Sequence, residues 1–133
     1  MNLDGIDEVD EFPAAPRKVI PPADLELLTL AARALGARFE EVEGEGYGNL
    51  HFEDKPVQHA WNPLLFSGDA LELAVKLDLW LGPAFANIER TKLMCARHRK
   101  LDVEVYEPAE DDDMSAARRA VTRAAAEIGM AKT

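Results

Sequence analysis

One cysteine, three histidines and two tryptophans are spread through 133 residues, and the scarcity of each closes off a class of protein. With Cys95 alone there is no internal disulfide and no multi-thiolate zinc centre, a usage that suits a reducing compartment. His51, His59 and His98 form neither an H-x-H nor an H-E-x-x-H pattern. No apolar run approaches the roughly 20 residues of a membrane-spanning helix. Residues 1–12 carry five acids and neither Lys nor Arg, which is not the basic-then-apolar plan of a secretory signal. Together these absences lead us to expect a cytoplasmic protein with no membrane association.

What is present is charge of one sign. The chain carries a net −10, of which residues 1–22 contribute −3, so the remainder is still −7. Such a surface repels nucleic acid phosphates on average and favours solubility. With 47% hydrophobic residues the chain has enough apolar material for one domain with a core of its own.

Residues 1–22 read as an acidic, proline-rich tail with little regular structure, in which the Val19–Ile20 pair is placed to dock on the domain that follows, residues 23–133. Pro22 and Asp24 open a helix that Gly36 ends, with Leu25, Leu28, Ala32 and Leu35 on its buried face. Arg38–Glu43 and Gly48–Glu53 form a hairpin through Gly44-Glu45-Gly46-Tyr47, with Leu50 and Phe52 alternating against polar neighbours. His59–Leu65 is irregular, and Ser67 caps a short helix over residues 68–76. Three strands follow: Leu77–Leu81, ended by Gly82-Pro83, then Asn87–Ala96 and Leu101–Tyr106. Apolar residues on both faces of these strands predict a sheet covered on both sides. The acids at 110–113 stand at the mouth of a last helix, where Met114, Ala117, Val121, Ala124 and Ile128 recur until Gly129 closes it. The order α-ββ-α-βββ-α predicts an α+β fold, a small antiparallel sheet between helical layers.

Two segments carry a resemblance to a known family: Trp61-Asn-Pro-Leu followed by Gly68-Asp-Ala-Leu-Glu-Leu-Ala-Val-Lys-Leu77, and the distal Ala116-Ala-Arg-Arg-Ala-Val-Thr-Arg-Ala-Ala-Ala-Glu-Ile-Gly129. With the Leu25–Leu35 helix they span most of the chain, and they resemble the phage ABA-sandwich domain family. The acidic, proline-rich tail departs from the usual pattern. The resemblance implies a phage or prophage origin and an α/β/α sandwich, and it brings no catalytic residues with it.

No residue set in the sequence makes an enzyme, and none asks for a cofactor or metal. Gly44, Gly46 and Gly48 are flanked by acids and followed by a strand, so they read as a turn rather than a phosphate cradle. A metal site from His51, Glu53 and His59 is conceivable in geometry, but surface histidines account for them better. Cys95, mid-strand between apolar neighbours, reads as core, as do Trp61 at a chain reversal and Trp80 among leucines beneath a helix.

The charge distribution is the distinctive feature. Residues 40–54 hold six acids without a base, while residues 90–100 hold Arg90, Lys92, Arg97, Arg99 and Lys100 without an acid. Arg118, Arg119 and Arg123 would extend the basic side if their helix face lies near it. Either the hairpin arginines simply pair with Asp102 and Glu104, or the strip docks a partner. The expectation is a non-enzymatic accessory protein that binds a host or phage protein through Arg90, Lys92, Arg97, Arg99 and Lys100. Two alternatives stand beside it. One is a nucleic-acid-associated protein using the 90–100 strip, against which net charge and the lack of an interleaved aromatic platform both count. The other is a small-ligand or nucleotide module between the Gly44–Gly48 and Trp61 loops.

Overall fold

A computed structural model describes residues 17–85, 91–109 and 112–132. The elements run α1 (Pro22–Ala34), β1 (Arg38–Val42), β2 (Tyr47–His51), β3 (Gln58–Trp61), α2 (Ser67–Lys76), β4 (Leu79–Phe85), β5 (Lys92–His98), β6 (Glu104–Pro108) and α3 (Asp113–Ala131). The fold is α+β: the described residues form three helices and two three-stranded antiparallel sheets, β1-β2-β3 and β4-β5-β6.

The helix ends follow from local chemistry. Pro22 takes the first position of α1, where its missing N–H costs nothing, and Gly36, at φ 77°, turns the chain out of it as expected. At the start of α3 the Asp112 carboxylate accepts from the Met114 amide at 3.0 Å. Ser67 does not cap α2 through its side chain: Phe66 holds the cap position, and the Ser67 hydroxyl instead accepts from Arg118 at 3.1 Å. Of the Val19–Ile20 pair, Ile20 alone joins the core and Val19 stays exposed.

α3 is the centre of the molecule. It packs on α1, on α2 and on all three strands of the second sheet. Its buried positions, Ala116, Ala117, Ala120, Val121, Thr122, Ala124, Ala125, Ala126, Ile128 and Gly129, go well beyond one helical stripe. A helix apolar on most of its circumference is one enclosed by its neighbours. Met114, expected on the buried face, lies exposed at the helix entrance. Gly129 does not end the helix, which continues to Ala131. It serves close approach instead: a Cβ there would lie 1.8 Å from the Leu30 carbonyl oxygen of α1.

The first hairpin turns through Gly44 and Gly46, both at positive φ, which favours glycine. Phe39, Leu50 and Trp61 pack on one face, and Gly48 provides the room, since a Cβ on it would sit 2.5 Å from the Phe39 ring. The Phe39 and Trp61 rings meet at 5.9 Å, tilted by 59°. β3, in the segment expected to be irregular, is a true strand interrupted in register beside Ala60, which has φ 57°. That irregularity removes the period-2 alternation by which a strand is read from sequence.

The second sheet also runs differently from its expected bounds. β4 continues through Gly82-Pro83 to Phe85. It is an edge strand paired only to β5, where proline is tolerated because one side of the strand owes no ladder hydrogen bond. β5 begins at Lys92 rather than Asn87 among the described residues; residues 87–90 of the expected strand lie outside them. β6 is shifted to Glu104–Pro108.

The Trp61-Asn-Pro-Leu segment is fixed at both ends. The Asn62 amide donates to the Asp69 carboxylate at 2.9 Å, and its side-chain amide donates to the Gly46 carbonyl at 2.8 Å. Burial pushes the Asp69 carboxyl above its ordinary 3.8 against the lowering effect of the Asn62 hydrogen bond, and nearby Glu72 raises it further. A carboxyl raised in the folded state binds its proton more tightly than in the unfolded chain. Its contribution to stability is therefore complete below the ordinary value and is lost as pH rises through the folded-state value. Denaturant unfolding of wild type and Asp69→Asn between about pH 3 and about pH 6 should move the stability difference in favour of the variant as pH rises.

Gly129→Ala distinguishes a helix stop from a close helix crossing. Helix propensity alone would make alanine stabilising by about 1 kcal/mol, whereas the clash with Leu30 should make the variant less stable by about 1–3 kcal/mol, read by the same unfolding method.

Candidate docking surface

In the β4-β5-β6 sheet, residues opposite one another across strands share a face. One face carries Leu79, Leu81, Met94, Ala96 and Val105. Most of these belong to or pack against the core, beneath α3. The other carries Trp80, Arg97 and Glu104 in one row and Gly82, Cys95 and Tyr106 in the next. No helix packs on this second face among the described residues, so the expected covering of both faces does not hold for this sheet.

Trp80 is consequently not core. It is 42% exposed, lying against Gly82, where a Cβ would come within 2.6 Å of the ring. The Arg97 guanidinium sits 4.4 Å from the centroid of the Trp80 ring, a cation–π contact worth about 0.5–1 kcal/mol at an exposed site. Glu104 approaches Arg97 at 3.9 Å, the weak cross-strand pairing that the sequence allowed for. Tyr106 is 44% exposed, and its hydroxyl, hydrogen-bonded to Glu104, is held protonated above its ordinary range. Cys95 lies beneath this surface as expected of a core residue, and burial pushes its thiol up, the direction opposite to an activated nucleophile. Trp, Arg and Tyr are the side chains most enriched at the energetic centres of protein interfaces.

The four described residues of the predicted strip, Lys92, Arg97, Arg99 and Lys100, are not gathered on one face. Arg90 lies outside the described residues. Lys92 is at the far end of β5, where its ammonium pairs with Asp113 of α3. Arg97 stands on the open face, and Arg99 and Lys100 are exposed in the β5–β6 turn. That turn is shaped by His98, whose Nδ1 accepts from the Lys100 and Leu101 amides, both at 2.9 Å. The surface is therefore Trp80, Arg97 and Tyr106, with Arg99 and Lys100 at one end.

The arginines of α3 do not extend it. Arg118 donates to the Leu64 carbonyl and to Ser67, Arg119 pairs with Asp24 at 2.6 Å, and Arg123 pairs with Glu107. They tie α3 to its neighbours. Sequence reasoning missed the exposure of Trp80 and Tyr106, for which Gly82 two residues after Trp80 was the available signal.

The other candidate sites resolve locally. His51 bonds Glu40 at 2.7 Å rather than meeting Glu53 and His59, and no cluster of three metal-ligating side chains occurs among the described residues. The Gly44–Gly48 and Trp61 loops are joined directly by the Asn62–Gly46 hydrogen bond, with a cleft of about 290 Å³ beside them. No helix among the described residues is long and apolar enough to cross a membrane. No family model, no curated protein and no solved structure matches the chain.

The two tryptophans should separate in unfolding experiments. Trp61, 1% exposed against Phe39, should cost about 3–5 kcal/mol on replacement by alanine. Trp80→Ala should cost no more than about 1.5 kcal/mol, since much of its ring is already in water.

Proposed function

We propose that this chain is a non-enzymatic accessory protein that docks an acidic surface of a host or phage protein against the open face of its second sheet. The observation that carries the reading is that Trp80, in contact with Arg97, and Tyr106 share a face on which no helix packs among the described residues, with the exposed cations Arg99 and Lys100 toward one end. Trp80 and Tyr106 supply broad contact area with few torsions to freeze, and Arg97 is already oriented by the ring beneath it. Arg99 and Lys100 steer an acidic partner and set its orientation. The phage or prophage origin, and with it action in the bacterial cytoplasm, rests on the resemblance of the Trp61–Leu77 and Ala116–Gly129 segments.

A second reading is favoured by the same residues. Exposed aromatics beside an arginine on an antiparallel sheet also suit stacking of single-stranded nucleic acid. The exposure of Trp80 and Tyr106, which the sequence did not reveal, supports this reading, while the net charge of −10 opposes it.

The test is the triple variant Arg97→Ser, Arg99→Ser, Lys100→Ser. Wild type and variant are used to capture partners from infected cells, and association with the captured protein is then measured at two salt concentrations. Association should slow about tenfold at low salt and lose most of its salt dependence. Stability should change by no more than about 1 kcal/mol. Unchanged association returns the three cations to a solvated hairpin. Binding of single-stranded oligonucleotides that falls steeply with salt, and is lost in the variant, would favour the second reading.

A further inference from the structure

α2 is apolar on two sides. Ala70, Leu73 and Ala74 face the core, yet Leu71 and Val75, one turn apart, are 67% and 71% exposed. They border a trough of about 640 Å³ whose other walls include Leu81 of β4 and Met114 of α3, themselves 41% and 55% exposed. Contiguous exposed aliphatics of this kind mark a contact surface. This trough lies on the helix-covered side of the second sheet, away from the Trp80 face, and the inference does not depend on the proposed function.

The charges around the trough say what fits it. Arg118 stands at the α2 N-terminus, held by the Leu64 carbonyl and the Ser67 hydroxyl. Asp78 stands just past the C-terminus of α2, exposed and with no ion-pair partner among the described residues. Ten residues of helix separate the two ends, about 15 Å. One cation and one anion at opposite ends of an apolar ridge are complementary to the same surface turned end for end. A ligand with a single charged head would meet only one of them.

We propose that a second copy of this chain occupies the trough. A two-fold axis across the middle of α2 sets the Leu71–Val75 ridge of each protomer into the trough of the other and brings Arg118 of each to Asp78 of its mate. The contact is isologous and closed, so association stops at the dimer. The Leu71–Val75 spacing is that of the i, i+4 ridges by which helices interdigitate.

Sedimentation equilibrium of the full chain tests this. Wild type should show a concentration-dependent monomer–dimer equilibrium. Leu71→Glu and Val75→Glu should each be monomeric and melt as the wild type does at concentrations where it is monomeric, because both positions are exposed within one protomer. Asp78→Lys places two cations together at each end and should raise the dimer dissociation constant at least about tenfold. Mixing Asp78→Lys with Arg118→Glu should restore a dimer, since both end contacts are then attractive in the mixed pair alone. Should Arg118→Glu fold poorly through loss of its bonds to Leu64 and Ser67, the Leu71, Val75 and Asp78 variants decide without it. A wild type that stays monomeric overturns the proposal, including one whose melting is raised by decanoate, which would make the trough a ligand site. So would a dimer that survives Leu71→Glu and Val75→Glu, or an Asp78→Lys dimer as tight as wild type.

Discussion

The backbones of α1 and α3 come together at Gly129, where the Leu30 carbonyl occupies the space that any side chain would need. Much else is arranged around that approach. Alanines on both helices, among them Ala31, Ala32, Ala120, Ala124 and Ala125, keep the crossing close, and the larger core side chains are carried by the surrounding elements. Arg119 to Asp24 and Lys132 to the Ala34 carbonyl tie the two ends of the same crossing. A small-residue crossing gains from dispersion at short range, so it depends on shape more than on area.

A central helix also determines which surfaces remain open. α3 covers the inner face of the β4-β5-β6 sheet, and among the described residues no helix lies across the outer one. That outer face keeps a strand-like alternation of side chains, but Trp80 and Tyr106 on it are left partly in water. Trp80 is accommodated by lying flat over Gly82 beneath Arg97, which shields part of the ring and positions the guanidinium. The same central position turns Arg118, Arg119 and Arg123 into internal ties. Of the described residues of a basic strip that looks continuous in sequence, Lys92 is thus drawn to Asp113, while Arg97, Arg99 and Lys100 stay toward the open face.

The α2 trough has a related origin. α2 is short and packs on α3 and β4, so its inner residues are enough to seat it. Leu71 and Val75, 67% and 71% exposed, contribute little to that seating.

Local rules were enough to read the helices, the first hairpin, the buried cysteine and Trp61, because caps, turn glycines and 3.6-residue periodicity act over a few residues. The α+β class followed from their order. Element ends failed where tertiary context overrode a local signal: Gly82-Pro83 did not stop β4, because an edge strand owes no hydrogen bonds on one side, and Gly129 did not stop α3, because its hydrogen atom was needed against Leu30. β3 was invisible because a register shift beside Ala60 erased its alternation. Which face of an apolar strand meets a helix, and which cations of a run find carboxylates, depend on residues far apart in the chain. Trp80 was therefore legible as strand and as apolar, while its exposure beside Arg97 was decided only when α3 took the opposite face of the sheet.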